Sequence, residues 1–248
     1  MKEFLVFDIE TVALDFETLS ESQQEYWLRG AETEEEIADK KFLMGLTPFT
    51  AQVGCIGMRR YKCEENGEHT LENKVVYGLD DTLEGDASRT VELGDGTCLY
   101  LFNEKRLLCK FWEGLHKRPG IILVSFNGRN FDAPFLMLRS GALEVRPSRN
   151  LMEGTKFNYP LHIDLLDQLT YFSGSGFGAT KRFNFDFYAR SFGITSPKAE
   201  GVDGSMVTEM FKEGKIAEIS EYCMRDVKAT WELYLKWNKF LNFGRSSY

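Results

Sequence analysis

Two acids flank one aliphatic residue near the start of the chain, in Phe7-Asp8-Ile9-Glu10-Thr11. They follow the apolar run Phe4-Leu5-Val6-Phe7, a pattern that forms buried strands. Side chains two apart in a strand share a face, so Asp8 and Glu10 are expected to project together from the end of a hydrophobic element. Carboxylates held that close repel, which raises a pKa unless a cation relieves them. An acid, a residue and an acid also occur in ordinary loops, and alone the triplet decides nothing.

A third acid lies in Ser125-Phe126-Asn127-Gly128-Arg129-Asn130-Phe131-Asp132-Ala133-Pro134. The buried strand expected at Ile121 to Phe126 runs into Asn127-Gly128, a pair suited to a sharp turn. Phe131-Asp132 then enters a helix, with Pro134 in the first turn where proline is tolerated. An acid there also suits the helix macrodipole. The fourth is Asp226 in Tyr222-Cys223-Met224-Arg225-Asp226, inside an amphipathic helix expected over Ile216 to Phe240. Spacing of four stacks Tyr222 and Asp226 on one otherwise apolar face. An acid in that position asks for a partner, and Arg225, a capping role or a bound cation would each provide one.

Taken in order, D-x-E, then N-x3-F-D after a buried strand, then Y-x3-D in a late helix, this set resembles the DEDDy branch of the DnaQ-like 3′–5′ exonucleases. It is most similar to the proofreading exonuclease domains of family B DNA polymerases and their stand-alone relatives, from Phe4 to about Leu235. The resemblance implies a ribonuclease H-like α/β fold of three layers, with a mixed central sheet flanked by helices. It implies that Asp8, Glu10, Asp132 and Asp226 hold two Mg²⁺ or Mn²⁺ ions while Tyr222 orients the attacking water. It further implies that Ile9, Thr11, Asn127 and Phe131 contact the 3′-terminal nucleotide of single-stranded or frayed DNA. RNA is an open alternative, because such motifs read metal and phosphate rather than the 2′-hydroxyl. A non-catalytic binding module of the same fold is a third reading, against which the retention of all four acids and Tyr222 argues. The polarity of digestion rests on the resemblance alone. No palm or fingers region is present, so the chain is not expected to polymerise.

Composition fits these expectations. The 248 residues are 43% hydrophobic and 27% charged, ordinary values for a soluble globular protein, and are read as one domain over residues 1–248. A net charge of −8 argues against a protein that coats nucleic acid through basic residues. It argues less against a nuclease whose bound cations meet the phosphate. Neither a signal peptide nor a membrane span is visible. The five cysteines follow no zinc spacing and read as reduced cytosolic thiols, several of them in the core.

The positioning elements can be sketched as well. Strands are expected at Gln52 to Tyr61 and Lys74 to Leu79, with an acidic insertion at about 14–41 and a loop or surface hairpin at about 80–100. The run from Glu32 to Lys41 is expected to be a solvated helix. Asn103 is the expected N-cap of a helix over Glu104 to His116. His162 to Leu165 reads as a short strand edge, followed by a helix, a glycine-rich loop and a helix near Phe183 to Phe192. His162 and Asp164 share one face of that strand end, where a satisfied structural role is preferred over contact with substrate or support of the site. Gly174 to Arg182 departs from the phosphate-loop pattern and reads as an ordinary loop, although Lys181, Arg182 and Lys198 could meet a nucleic-acid backbone. Trp231 and Trp237 are expected in the core.

Overall fold

A computed structural model describes residues 2–196 and 204–243. Lys198 therefore lies outside the described residues. One seven-stranded sheet runs through the structure in the order β4-β5-β3-β2-β1-β6-β7. Its strands are β1 Lys2–Ala13, β2 Ala51–Cys63, β3 His69–Leu79, β4 Arg89–Glu92, β5 Cys98–Phe102, β6 Ile122–Ser125 and β7 His162–Asp164. The first three form an antiparallel meander, whereas β6 and β7 run parallel to β1. The sheet is therefore mixed, and helices cover both of its faces in the three layers of a ribonuclease H-like fold.

Alternation along β1 divides the core. Leu5, Phe7 and Ile9 pack with Leu107, Phe111 and Leu136. These last come from α3 Glu104–His116 and α4 Asp132–Ala142. Phe4 and Val6 point the other way, toward Trp231, Leu233 and Tyr234 on the long α8 Ile216–Phe240. Period-two burial of this kind is what a strand covered on both faces requires. The bounds of α8 coincide with those the apolar periodicity predicts. Gly57 on β2 lets α8 come close, because a Cβ there would sit 2.8 Å from Cys223 Sγ and 3.2 Å from Val227 Cγ2. On the other face, Glu104 receives the Val53 N–H at 2.8 Å and both the Nε and Nη2 of Arg139, at 2.8 and 2.7 Å. That buried ion pair ties α3, α4 and β2 together and fixes the helix that begins at Asp132.

Asn103 caps α3 as expected, its side chain accepting from Arg106 N at 2.9 Å. Trp231 and Trp237 are buried, and Trp231 stacks on Tyr61 at 3.9 Å between ring centroids. The acidic insertion holds two helices, α1 Glu21–Leu28 and α2 Glu34–Leu43, neither with a fully buried residue. The loop or surface hairpin expected at about 80–100 continues into the sheet. β4 and β5 do form an antiparallel hairpin, but β5 also pairs in parallel with β3. Leu99 and Leu101 of β5 are fully buried, so this strand belongs to the main sheet. Between β7 and α8 come α5 Leu165–Leu169, α6 Phe185–Ser191 and α7 Val207–Lys212. Among the described residues no helix is long and apolar enough to cross a membrane.

Candidate active site

β6 ends beside the middle of β1, its last paired residue, Val124, opposite Val6. β1 runs on past that point, so Asp8 and Glu10 emerge where the chain leaves β6 for the turn that leads into α4. The turn needs its own residues. Asn127 adopts φ +62°, a left-handed conformation that asparagine tolerates well. At Gly128 a Cβ would lie 2.3 Å from Ser125 Oγ, so only glycine fits without displacement.

Asp164 at the end of β7 holds this turn from below. Its Oδ1 accepts from Asn127 N at 2.8 Å and Leu166 N at 3.0 Å, while Oδ2 accepts from Arg129 N at 2.8 Å. Burial raises its pKa to about 6 against the opposing pull of those donors. Beside it, His162 Nε2 and Ser125 Oγ are hydrogen-bonded at 2.8 Å. Burial lowers the imidazole pKa to about 3, so His162 is neutral at physiological pH. Asp164 thus positions the turn, while His162 is buried with its Nε2 bonded to Ser125.

The three acidic segments converge. The Ile9 N–H donates to Asp132 Oδ1 at 3.1 Å, joining β1 to the start of α4. Asp8 lines a cleft of about 310 Å³ with Asn127, Tyr222 and Asp226. Ligand atoms of Asp8, Glu10 and Cys223 all lie within 4.8 Å of one another, a candidate metal-binding cluster. Burial raises the Asp8 carboxyl well above the usual range, with further upward pressure from Asp132, Asp226 and Glu10. Burial likewise raises Asp132 to about 7, opposed by its own backbone N–H and that of Ile9. Tyr222 hydrogen-bonds to Asp226, and burial followed by the Asp226 and Glu10 charges pushes the phenol above its ordinary pKa. Among the described residues that line this cleft there is no lysine or arginine. Such an arrangement can bind a hard divalent cation through oxygen ligands.

Cys223 had no assigned part in the site. Its Sγ approaches the Asp8 carbonyl oxygen at 3.5 Å and Oδ2 at 3.8 Å. A hydrogen bond with Cys55, then burial, raises its pKa well above normal and keeps the thiol protonated. Nothing in Tyr-Cys-Met-Arg-Asp distinguishes it from a packing cysteine, because only the crossing of α8 over β1 brings it there. The four residues expected to touch a nucleotide are distributed differently. Asn127 lines the cleft. The Ile9 side chain is in the core, 4% exposed, and offers the site its backbone N–H. Phe131 packs against the same core cluster as Ile9. Thr11 Oγ1 donates to Gly45 O at 2.6 Å and lines a separate, larger groove beside the acidic insertion.

Known proteins resemble this chain in sequence and in fold. An uncharacterised protein of Methanocaldococcus jannaschii is 30% identical over 154 residues, which cover 58% of this chain and 80% of that protein. The structure of the family B DNA polymerase from the archaeon Pyrobaculum calidifontis superposes with a TM-score of 0.56 at 19% identity. The likeness covers 97% of this chain but 25% of the polymerase, and at that identity it concerns the fold alone. Residues 85–243 match the family described as a predicted 3′–5′ exonuclease related to the exonuclease domain of PolB. That match takes in Asp132, Tyr222 and Asp226, while Asp8 and Glu10 reach them through the geometry of β1. With more than half of its length matched, the chain belongs to this family of predicted PolB-related 3′–5′ exonucleases.

Proposed function

We propose that the protein is a metal-dependent 3′–5′ exonuclease acting on the 3′ ends of single-stranded or frayed DNA, carried by one domain. The convergence of Asp8, Tyr222 and Asp226 on one cleft, with Asp132 bonded to the residue after Asp8, is the observation that supports this most strongly. Asp8, Glu10, Asp132 and Asp226 would hold two Mg²⁺ or Mn²⁺ ions. The donor set fits, since buried carboxylates that raise one another's pKa gain most from divalent cations. Such ions activate water, bind phosphate and neutralise charge on the leaving oxygen.

The chain's own residues do the rest. Tyr222, protonated and bonded to Asp226, serves as an orienting hydrogen-bond partner for water rather than as a base. The Cys223 thiol donates to Asp8 and stays outside the ligand set, because a hard cation prefers the neighbouring oxygens. Asp164 keeps Asn127 and the entry to α4 in place.

The test is digestion of a 5′-labelled single-stranded oligonucleotide with Mg²⁺ or Mn²⁺, with an RNA of the same sequence in parallel. A descending ladder that disappears in Asp8→Ala and Asp226→Ala is the expected result. No ladder with either metal overturns the proposal, and a ladder that survives both substitutions removes the assigned site. An RNA-only ladder would change the substrate to RNA.

A further inference from the structure

On one side of the acidic cleft stands a pair of aromatic rings. Phe183 lines the cleft with Asp8 and Asp226, and its ring lies flat on that of Phe187, centroids 4.0 Å apart and planes at 9°. Phe187 is 51% exposed although Phe183 covers one of its faces. Lys181 Nζ sits 4.9 Å from the centre of the Phe183 ring, and Arg182 is also exposed. The nearby loop carries Phe177 at 83% exposure.

Local structure explains only part of this. Asn184 caps α6, its side chain accepting from Phe187 N at 3.0 Å. The residue before an N-cap commonly packs on the fourth helical residue as a hydrophobic staple. Here that residue is Tyr188, which meets Phe183 edge-on at 6.2 Å. The staple is thus made without Phe187, whose parallel stack extends the aromatic surface outward from the cleft into solvent. Exposed parallel rings flanked by cations are how proteins hold single-stranded nucleic acid, since every base has a π-face and every linkage a charge.

We infer that Phe183 and Phe187, with Lys181 beside them, form a stacking platform for the unpaired bases upstream of the scissile 3′ end. This rests on the proposed nuclease reading and deepens it. The strand would reach the acids across Phe183, and a paired base, already stacked in a duplex, would be a poorer occupant. Lys181 suits a polyanion in a chain that is otherwise acidic, whereas Arg182 is paired with Asp167 at 3.9 Å.

The test measures anisotropy of a fluorescent thymidine decamer and an abasic decamer, on the full chain with Ca²⁺, checking afterwards that each probe is intact. Phe187→Ala is expected to weaken the thymidine decamer about tenfold. Phe187→Trp should bind it within about twofold of wild type, and the abasic probe should not discriminate among the three proteins. Unchanged thymidine binding in Phe187→Ala, or equal loss on both probes, overturns the platform. A change in sedimentation of Phe187→Ala without a change in binding would assign the face to self-association and also overturn it. A wild type that digests oligonucleotides while Phe187→Ala binds normally removes the platform and leaves the nuclease intact. A wild type that neither binds nor digests removes both.

Discussion

The backbone N–H of Ile9 donates to Asp132 Oδ1 at 3.1 Å, so the residue between the two strand acids holds the acid that opens α4. One hydrogen bond thereby links segments 123 residues apart in sequence. It joins β1 to the turn after β6 just where parallel pairing between those strands has stopped. The site is built on rigid elements, and its weak points are the turn and the crowded charges.

Charge crowding predicts that the cation-free protein is destabilised by its own site. Burial, Asp132, Asp226 and Glu10 all raise the Asp8 pKa, so a neutral isostere should be favoured there. Asp8→Asn is expected to raise the metal-free melting temperature by roughly 2–4 °C, the equivalent of about 1 kcal/mol in a domain of this size. Millimolar Mn²⁺ is expected to raise the wild-type melting temperature, and the same substitution should abolish that rise. Differential scanning fluorimetry with and without Mn²⁺ checks both, and a lower metal-free melting temperature in the variant would contradict the argument.

The turn is tested at Gly128. A methyl group there would lie 2.3 Å from Ser125 Oγ and 2.6 Å from Ser125 Cβ, both in the last residue of a buried strand. Gly128→Ala should cost about 1–3 kcal/mol in urea unfolding through overpacking. It should also lower exonuclease activity, because Asp132 follows four residues later. An unchanged urea midpoint would show that the turn relaxes freely.

Asp164 is expected to position the site without touching substrate. In Asp164→Asn an amide must replace one of two oxygens that both receive backbone N–H groups, leaving at least one buried donor unpaired. The cost should be about 1–3 kcal/mol. A role in positioning further predicts a smaller Mn²⁺-induced thermal shift than in wild type, whereas a purely structural role would leave that shift unchanged.

The site was legible in the sequence where local rules govern it and hidden where tertiary crossings do. The apolar run before Asp8 announced β1, and the 3.6-residue periodicity around Asp226 marked α8 at both ends. Asn127-Gly128 advertised the turn. Strand β5 was overlooked because Cys98–Phe102 adjoins a Gly- and Asp-rich stretch, and its burial depends on pairing with β3 far away. Cys223 was hidden for a similar reason, since only the approach of α8 across Gly57 brings its sulfur to Asp8. Composition could not show that the side chain of Ile9 turns into the core while its amide serves Asp132.

His162 predicts a pH dependence of stability. Its folded pKa is depressed by burial to about 3, whereas the unfolded imidazole titrates near 6.5. Between those values the unfolded chain binds the extra proton, so this contribution to stability is present above about pH 6.5 and is lost as pH falls toward 3. Asp132, raised to about 7, acts in the opposite direction but is common to wild type and variant. His162→Gln should therefore lose less stability than wild type between pH 7 and pH 4.5, as read from urea midpoints. Parallel slopes would mean that the imidazole is protonated in the folded state.

Tyr222 separates orientation from proton abstraction. Burial, then the Asp226 and Glu10 charges, hold the phenol above its ordinary pKa, so deprotonation near neutrality would be costly. What the hydroxyl can do is donate to Asp226 and align a water beside it. Tyr222→Phe keeps the buried ring that lines the cleft and removes only that hydroxyl. The Mn²⁺-induced thermal shift should then persist, because the four carboxylates remain. The kcat should fall about tenfold to a hundredfold, the usual cost of losing a group that orients a metal-site ligand. The pH–rate profile should keep its shape, since no titrating group has been removed. Loss of one limb of that profile in Tyr222→Phe would instead make the phenol a proton acceptor, and loss of the thermal shift would make it necessary for holding the cations.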